Sequence, residues 1–210
     1  MVSVSPSEVA RLVLDLATSR PPTLGGAGWL VCIDGPSGAG KSTLADAVAE
    51  ASSVRTRVVR LDDMYRGWDG LPHVPDQLEQ LLSPLDRDAA SSYTRYDWQA
   101  GAPGEDVTVA PVPLLVLEGV GAGTARISPL TTVLAWVDAP TELRRRRGVE
   151  RDGDSFEPHW EAWAEAEAHH FERQGTRGRA DVLVDGTGSV PPRTVVPGAA
   201  TSERAAVPDH

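Results

Sequence analysis

The residues of this chain that could do chemistry begin with a glycine-rich segment, GPSGAGKS, at residues 35–42. Glycines allow turns with positive φ, in which successive backbone N–H groups converge on one anion. A helix that begins near Lys41 would add the positive end of its dipole. The spacing of the glycines, Lys41 and Ser42 is that of a phosphate-binding loop, in which the lysine reaches the β- and γ-phosphates of a nucleotide and the serine binds Mg²⁺.

Eight residues of this segment form the predicted nucleotide site: Gly35, Ser37, Gly38, Ala39, Gly40, Lys41, Ser42 and Thr43. A glycine-rich turn can match such a pattern by chance. Here, however, an apolar run at residues 29–33 precedes the glycines and an amphipathic segment at residues 42–51 follows them, as phosphate binding requires. Lys41 is also the only lysine in the chain, and all the other strongly basic side chains are arginines.

Acidic residues follow two further apolar runs. Asp62 and Asp63 come after residues 57–61, and Glu118 comes after residues 114–117. Ligands of open parallel sheets bind outside the carboxyl ends of the strands, so we expect these acids to lie near the phosphate loop. Asp62 is the predicted base for a reacting hydroxyl, and Glu118 is predicted to organise Mg²⁺. The alternative for each acid is a helix N-cap or a solvated strand end.

Four consecutive arginines at residues 144–147 form the one dense basic patch. On a helix, Arg144, Arg147 and Arg151 share a face, because they are three and four residues apart. Arginines on that face could bind a phosphoryl group during its transfer. The alternative is a solvated helix whose arginines pair with nearby acids.

The pattern of apolar residues predicts alternating strands and helices, and therefore an α/β sandwich on a parallel sheet. Helices are predicted over residues 6–18, 42–51, 141–149 and 157–173, and strands over residues 29–33, 57–61, 114–117, 132–137 and 182–184. Residues 62–106 are predicted to be irregular, with one helical piece at residues 76–82. Long irregular segments of this kind are usually functional.

Composition narrows the possible partners. The chain has 210 residues, a net charge of -10 and a single cysteine, Cys32. The negative charge argues against a nucleic acid polymer as partner, and the lone cysteine suits a reducing compartment. No apolar segment reaches the roughly 18 residues needed to span a bilayer, and the N-terminus lacks the pattern of a secretory signal. We expect a cytoplasmic protein that does not bind membranes, and its oligomeric state stays open.

The motifs occur in an order that resembles the uridine kinase-like branch of P-loop kinases. In chain order they are GPSGAGKS, LDDMY, VLEG, VDAP followed by RRRR and RD, and RADVLVDG, between Trp29 and Gly186. The resemblance implies a P-loop NTPase three-layer α/β/α sandwich with an arginine-rich lid. It also implies that ATP and Mg²⁺ are used to phosphorylate a hydroxyl group of a small molecule, typically the 5′-hydroxyl of uridine or cytidine.

The resemblance also implies roles for individual residues. Asp62 corresponds to the base, Tyr65 lies near the substrate, and Glu118 is the acid of the Glu-Gly motif. Arg147 and Arg151 correspond to the arginines of the lid. The implied organisation is one kinase domain over residues 1–187, with an acceptor-binding insertion at residues 62–106 and a lid region at residues 141–155. Residues 188–210 are expected to form a mobile tail.

One segment departs from the family pattern. The Asn-Phe-Asp-His-Pro segment that helps to hold the nucleoside is absent, and its nearest counterpart is residues 95–98. There Asp97 could bind ribose hydroxyls, and Tyr96 or Trp98 could stack on a ring. The acceptor therefore stays open between a nucleoside, a nucleoside monophosphate, a vitamin precursor and a sugar. Arg66, Arg87 and Arg95 are available to bind a monophosphate.

Two other functional classes also use a phosphate-binding loop, namely GTPases and nucleotide sensors. A GTPase of the common kind needs an Asn-Lys-x-Asp motif, which is excluded because the chain has no asparagine and no second lysine. An ATP-binding sensor without catalytic activity remains an alternative, as does a preference for GTP over ATP as phosphoryl donor.

Overall fold

A six-stranded sheet forms the centre of the protein in the computed structural model, which describes residues 4–153 and 157–195. The strands in chain order are β1 Trp29–Asp34, β2 Thr56–Arg60, β3 Ser91–Asp97, β4 Ala102–Val109, β5 Leu114–Glu118, β6 Val133–Asp138, β7 Val182–Asp185 and β8 Arg193–Thr194. The central sheet has the order β2-β5-β1-β6-β7-β8. Its neighbours are parallel, except that β8 is antiparallel to β7.

Helices cover both faces of this sheet. The helices in the described ranges are α1 Pro6–Thr18, α2 Lys41–Ala51, α3 Val74–Leu85, α4 Thr141–Asp152, α5 Trp160–Gln174 and α6 Thr176–Arg179. A capping box of Ser5 and Glu8 begins α1. Short 3₁₀ turns occupy residues 61–63, 71–73, 125–130 and 157–159.

The buried side chains form two hydrophobic cores, one on each face of the sheet. In β1, Leu30 and Cys32 face the core that contains α3, whereas Val31 and Ile33 face the core that contains α1 and α2. This division follows from the two-residue period of a strand, which sends successive side chains to opposite faces. Both faces of β1 are apolar because both are buried. The predicted three-layer α/β/α architecture is confirmed.

The largest difference from the sequence prediction is a β-hairpin made of β3 and β4, which pair with each other outside the main sheet. It lies in the segment predicted to be irregular and extends to Val109. Tyr93 is buried, whereas its neighbours Ser92 and Thr94 are exposed. This alternating burial is typical of a strand that packs one face against the protein.

The C-terminal part of the described chain also differs in part from the sequence prediction. β8 lies within the range 188–210 that was expected to be a mobile tail, and it pairs with β7. Residues 196–210 of that tail and residues 154 and 155 of the predicted lid region lie outside the described residues. No described helix combines the length and the apolar character that crossing a membrane requires.

Candidate active site

The phosphate loop joins the end of β1 to the start of α2. Gly38 has a φ of 75°, and a Cβ atom there would lie 2.2 Å from the carbonyl oxygen of Arg144. A larger residue is excluded on both grounds. Within the described chain, no side chain caps the first turn of α2, so its N–H groups and its dipole are available to an anion.

Two amides of the loop already have partners inside the protein. The N–H of Ser37 donates to Glu167 Oε1 over 2.8 Å, and the N–H of Ala39 donates to the carbonyl oxygen of Pro36 over 3.2 Å. The sequence predicted that both residues bind the nucleotide. In this structure their N–H groups support the loop, and their contact with a phosphate stays a prediction.

Asp34 supports the loop from beneath, although the sequence analysis did not single it out. Its buried carboxylate accepts hydrogen bonds from the N–H groups of Gly35 (2.7 Å), Gly121 (2.9 Å) and Gly123 (2.8 Å). Burial raises the pKa of Asp34 to about 6, and these three bonds oppose the rise. The side chain ties the phosphate loop to the loop that follows β5. The signal in the sequence that could have identified Asp34 is its position directly before Gly35, the first glycine of the phosphate loop.

The residues predicted to bind Mg²⁺ lie together. Ser42 Oγ donates to Glu118 Oε1 over 3.1 Å, and Arg60 forms an ion pair of 3.1 Å with the same oxygen. Lys41 is buried nearby, and its Nζ donates to the carbonyl oxygen of Pro36 over 3.0 Å. The side chain of Lys41 therefore lies folded against the phosphate loop, where it is predicted to bind the phosphates of a nucleotide.

Glu118 is also within electrostatic range of the predicted base. The pKa of Glu118 is raised above its usual value, mainly by burial. The charge of Lys41 opposes this rise, and the charge of Asp62 adds to it. A hydroxyl and a buried carboxylate are the hard oxygen donors that suit Mg²⁺. Among the described residues, no group of three or more acidic, histidine or cysteine side chains is placed so that it could hold a metal ion by itself. The set therefore fits an ion that takes most of its ligands from phosphates and water.

Asp62 and Asp63 lie in the 3₁₀ turn after β2 and have different surroundings. The side chain of Asp62 is exposed, and its main-chain carbonyl accepts a 2.9 Å bond from Trp98 Nε1. Asp63 pairs with Arg95 Nε at 3.5 Å and accepts from Tyr93 Oη at 3.4 Å. These contacts give Asp63 a role in attaching the hairpin, whereas the carboxylate of Asp62 stays accessible.

The three residues predicted to contact the substrate are not equally available. Tyr65 is buried, and its hydroxyl donates to the carbonyl oxygen of Val120 over 2.8 Å. Asp97 Oδ1 accepts 2.9 Å bonds from the N–H groups of Gln99 and Ala100, and so caps the hairpin turn. Tyr96 is partly exposed. Substrate contacts by Tyr65 and Asp97 stay predictions, because in this structure both side chains have structural partners.

Aromatic side chains cluster beside Asp62. Around Trp68 lie Trp98 at 5.0 Å, Trp163 at 5.8 Å and a stacked His159 at 4.5 Å between ring centroids. Tyr96 packs edge-on against Trp98 at 5.2 Å. We call these five residues the aromatic cluster. The sequence predicted stacking by Tyr96 or Trp98, but it could not show that α5 and the segment before it add His159 and Trp163.

The arginines of α4 lie against the phosphate loop. Arg147 donates to the carbonyl oxygens of Gly38 (3.3 Å) and Gly186 (3.1 Å). Arg144 donates to the carbonyl oxygen of Ser37 over 3.3 Å. Arg151 is exposed and lies in the last turn of α4, and its reach into the site stays a prediction.

A cavity of about 530 Å³ adjoins the phosphate loop on the side away from the aromatic cluster. Its apolar lining includes Val9, Leu44, Val137 and Val184, and its polar lining includes Thr43 and Arg147. The loop after β7 closes one side, where a Cβ atom on Gly186 would lie 1.9 Å from the carbonyl oxygen of Ala39. The position and lining suit the base of a nucleotide whose phosphates lie on the loop.

Solved structures with the same fold include several proteins named as kinases. A possible uridine kinase from Bacillus stearothermophilus is 20% identical with a TM-score of 0.57, covering 85% of this chain and all of its own. A protein from Silicibacter sp. TM1040, provisionally named a fructose transport system kinase, is 20% identical with a TM-score of 0.61 over 81% of this chain and 95% of its own. D-glycerate 3-kinase from Cryptococcus neoformans var. grubii serotype A is 13% identical with a TM-score of 0.56 over 90% of this chain and 99% of its own.

No protein-family model matches the sequence, and no curated protein matches it either. At these identities the structural likeness shows the fold. The resemblance of the motifs to uridine kinase-like P-loop proteins is thereby confirmed at the level of the fold.

Proposed function

We propose that this protein is an ATP-dependent kinase that transfers the γ-phosphoryl group to a hydroxyl of a small molecule. The observation that carries the proposal is that Lys41, the bonded pair of Ser42 and Glu118, and Asp62 lie at one edge of the sheet. Phosphoryl transfer needs these groups together, namely a cation for the phosphates, oxygen ligands for Mg²⁺ and a base for the hydroxyl.

On the donor side, the free N–H groups at the start of α2 would hold the β- and γ-phosphates. Lys41 would exchange the carbonyl oxygen of Pro36 for a phosphate oxygen, which requires only rotation of its side chain. Arg147, already against the loop, would bind the group in transfer. Mg²⁺ bound between the phosphates would neutralise part of their charge, and Ser42 and Glu118 would hold it.

On the acceptor side, Asp62 would take the proton of the acceptor's hydroxyl group. The oxygen of that hydroxyl would form a bond to the γ-phosphorus of ATP while the bond between the γ-phosphorus and ADP breaks. The accessible carboxylate supports this role, because a base must reach its substrate. Asp63 is unsuited, since Arg95 already pairs with it.

The acceptor that we propose is a nucleoside such as uridine or cytidine. The aromatic cluster supports a planar acceptor, because indole and phenol rings beside Asp62 offer faces for stacking. Tyr96, in β3, and Trp98, directly after β3, lie within residues 95–98, the nearest counterpart of the missing family segment. A nucleoside monophosphate, a vitamin precursor or a sugar would place its hydroxyl at the same carboxylate, and so the acceptor needs an experiment.

The test is an assay of ADP release with uridine, cytidine, their monophosphates, vitamin precursors and sugars. We expect one class of acceptor to stimulate ADP release. Asp62→Asn should lower the rate of acceptor-dependent ADP release by about 10²–10⁴-fold and leave ATP binding intact. The matched control, Asp63→Asn, should retain most of the wild-type rate. ATP binding without acceptor-dependent release would contradict the proposal and favour a sensor.

A further inference from the structure

A buried carboxylate that no motif predicts lies against the phosphate loop. Glu167, on α5, is 2% exposed. Its Oε1 accepts from the N–H of Ser37 (2.8 Å) and from Trp163 Nε1 (2.7 Å), and its Oε2 lies 3.8 Å from Arg144 Nη1. The carboxylate therefore joins the phosphate loop to α5 and to α4.

The charge of Glu167 is unfavourable for a phosphate site. A carboxylate beside the loop lowers the positive potential that a polyphosphate needs, and burying it is costly unless it is paired. Arg144 supplies the pair, so the two charges offset each other near the loop. The contribution that remains is geometric, because the carboxylate fixes the direction of the Ser37 N–H and with it the path of the loop.

Trp163 extends the same support towards the acceptor side. Its Nε1 also lies 2.9 Å from Ser37 Oγ, within hydrogen-bond distance. Its ring packs edge-on against Tyr65 at 5.1 Å and against Trp68 at 5.8 Å. Both partners follow Asp62 in the chain. One helix, α5, therefore supports the phosphate loop and the acceptor segment through neighbouring side chains.

We propose that Glu167 is a positioning residue that holds the phosphate loop in its nucleotide-binding conformation. This role rests on the proposed function, because it presumes that the loop binds a nucleotide. Glutamine cannot replace the carboxylate. Three donors share its two oxygens, whereas glutamine has one acceptor oxygen and would turn an NH₂ group towards Arg144.

The test compares Glu167→Gln with Glu165→Gln, an exposed glutamate of the same helix. Isothermal titration would measure binding of the β,γ-imido analogue of ATP with Mg²⁺, and thermal melting would measure stability without nucleotide. We expect Glu167→Gln to bind the analogue roughly tenfold more weakly. Its melting midpoint should fall, because the largely buried guanidinium of Arg144 loses its partner, so binding is measured well below that midpoint, where the variant is folded. Glu165→Gln should match the wild type in both measurements.

A second variant, Trp163→Phe, removes the indole N–H and keeps an aromatic ring. We expect it to weaken binding in the same direction, and the double variant with Glu167→Gln to lose less than the sum, because both act through one carboxylate. A wild type that does not bind the analogue would contradict the proposed function itself. Wild-type affinity in the folded Glu167→Gln variant would overturn the role of Glu167. If Glu167→Gln does not fold, wild-type affinity in Trp163→Phe would overturn it.

Discussion

On the donor side of the site, the groups that would meet the phosphates are mainly backbone N–H groups, held by buried contacts such as those of Asp34. On the acceptor side, the groups around Asp62 are aromatic side chains, and several of them are partly or fully exposed. The proposed donor presents the same triphosphate whichever acceptor is used, whereas the candidate acceptors differ in shape. A fixed backbone suits the first task, and exchangeable side chains suit the second.

This difference makes a first prediction for the donor side. Lys41→Ala should lower the rate of phosphoryl transfer by roughly 10²–10³-fold with every acceptor, because the developing charge loses a fixed cation. Steady-state kinetics would measure the rate. Arg11→Ala, an exposed cation on α1, is the control and should not change it. An acceptor-dependent effect of Lys41→Ala would contradict the division of the site.

The metal ligands allow a finer test of the same side. Glu118→Gln should raise the Mg²⁺ concentration needed for half-maximal rate by about tenfold. Arg60 bridges Glu118 and Asp46, so Asp46→Asn disturbs the arginine without removing the proposed metal ligand. Titration of the rate with Mg²⁺ should show a shift for Glu118→Gln alone. Equal shifts would mean that Arg60, and not the metal, accounts for the effect.

On the acceptor side the expected effects are smaller and specific to one substrate. Trp68→Leu should raise the KM of the acceptor by about 2–10-fold, the range that aromatic contacts contribute, and leave the KM of ATP unchanged. The control is Trp29→Leu, at the opposite end of β1, where the indole donates to the carbonyl oxygen of Arg20. A rise in the KM of ATP would show that the two sides are not separate.

The last prediction concerns stability and not catalysis. His170 packs beneath the loop that follows Glu118, because a Cβ atom on Gly121 in that loop would lie 3.1 Å from His170 Nε2. Burial lowers the pKa of His170 from 6.5 to about 4. Between these values the folded state binds fewer protons than the unfolded state, so stability falls as the pH decreases from 6.5 towards 4. His170→Phe should remove a loss on the order of 1–3 kcal/mol.

Thermal melting at pH 7 and pH 4.5 would measure this difference. His169→Phe, at an exposed position on the same helix, is the control and should melt like the wild type at both values. Asp34 has the opposite effect on the pH dependence of stability. Because its pKa is raised to about 6, its contribution to stability falls as the pH rises towards that value. The comparison of variants isolates His170, and equal acid sensitivity in His170→Phe and the wild type would contradict its role.

The two sides also differ in how far the sequence predicts them. The spacing from Gly35 to Ser42 is set by local backbone geometry, so the loop could be found from residue types alone. The pairing of Ser42 with Glu118 follows from the meeting of parallel strands at one edge. Glu167 lies 130 residues from Ser37 in the chain, and nothing local in its sequence marks it as a partner of the loop.

The acceptor side was harder to predict for the same reason. Asp62 follows a strand and could be identified, but the aromatic cluster combines rings from the hairpin, the segment after Asp62 and the region of α5. The residue types of Ser91 to Thr94 do not alternate between apolar and polar, so the alternating burial of the hairpin follows from its packing and could not be found from the sequence. Tertiary contacts between distant segments decide which of these rings meet.

The central claim, that the γ-phosphoryl group moves from ATP to a small hydroxyl compound, is tested most directly by following that group. The wild type, Asp62→Asn and Asp63→Asn would be incubated with γ-labelled ATP, Mg²⁺ and a mixture of acceptors, and the small molecules would be separated. We predict label on one class of acceptor with the wild type and Asp63→Asn, and none with Asp62→Asn. Label that stays on bound ATP, or that appears only as inorganic phosphate, would contradict the claim.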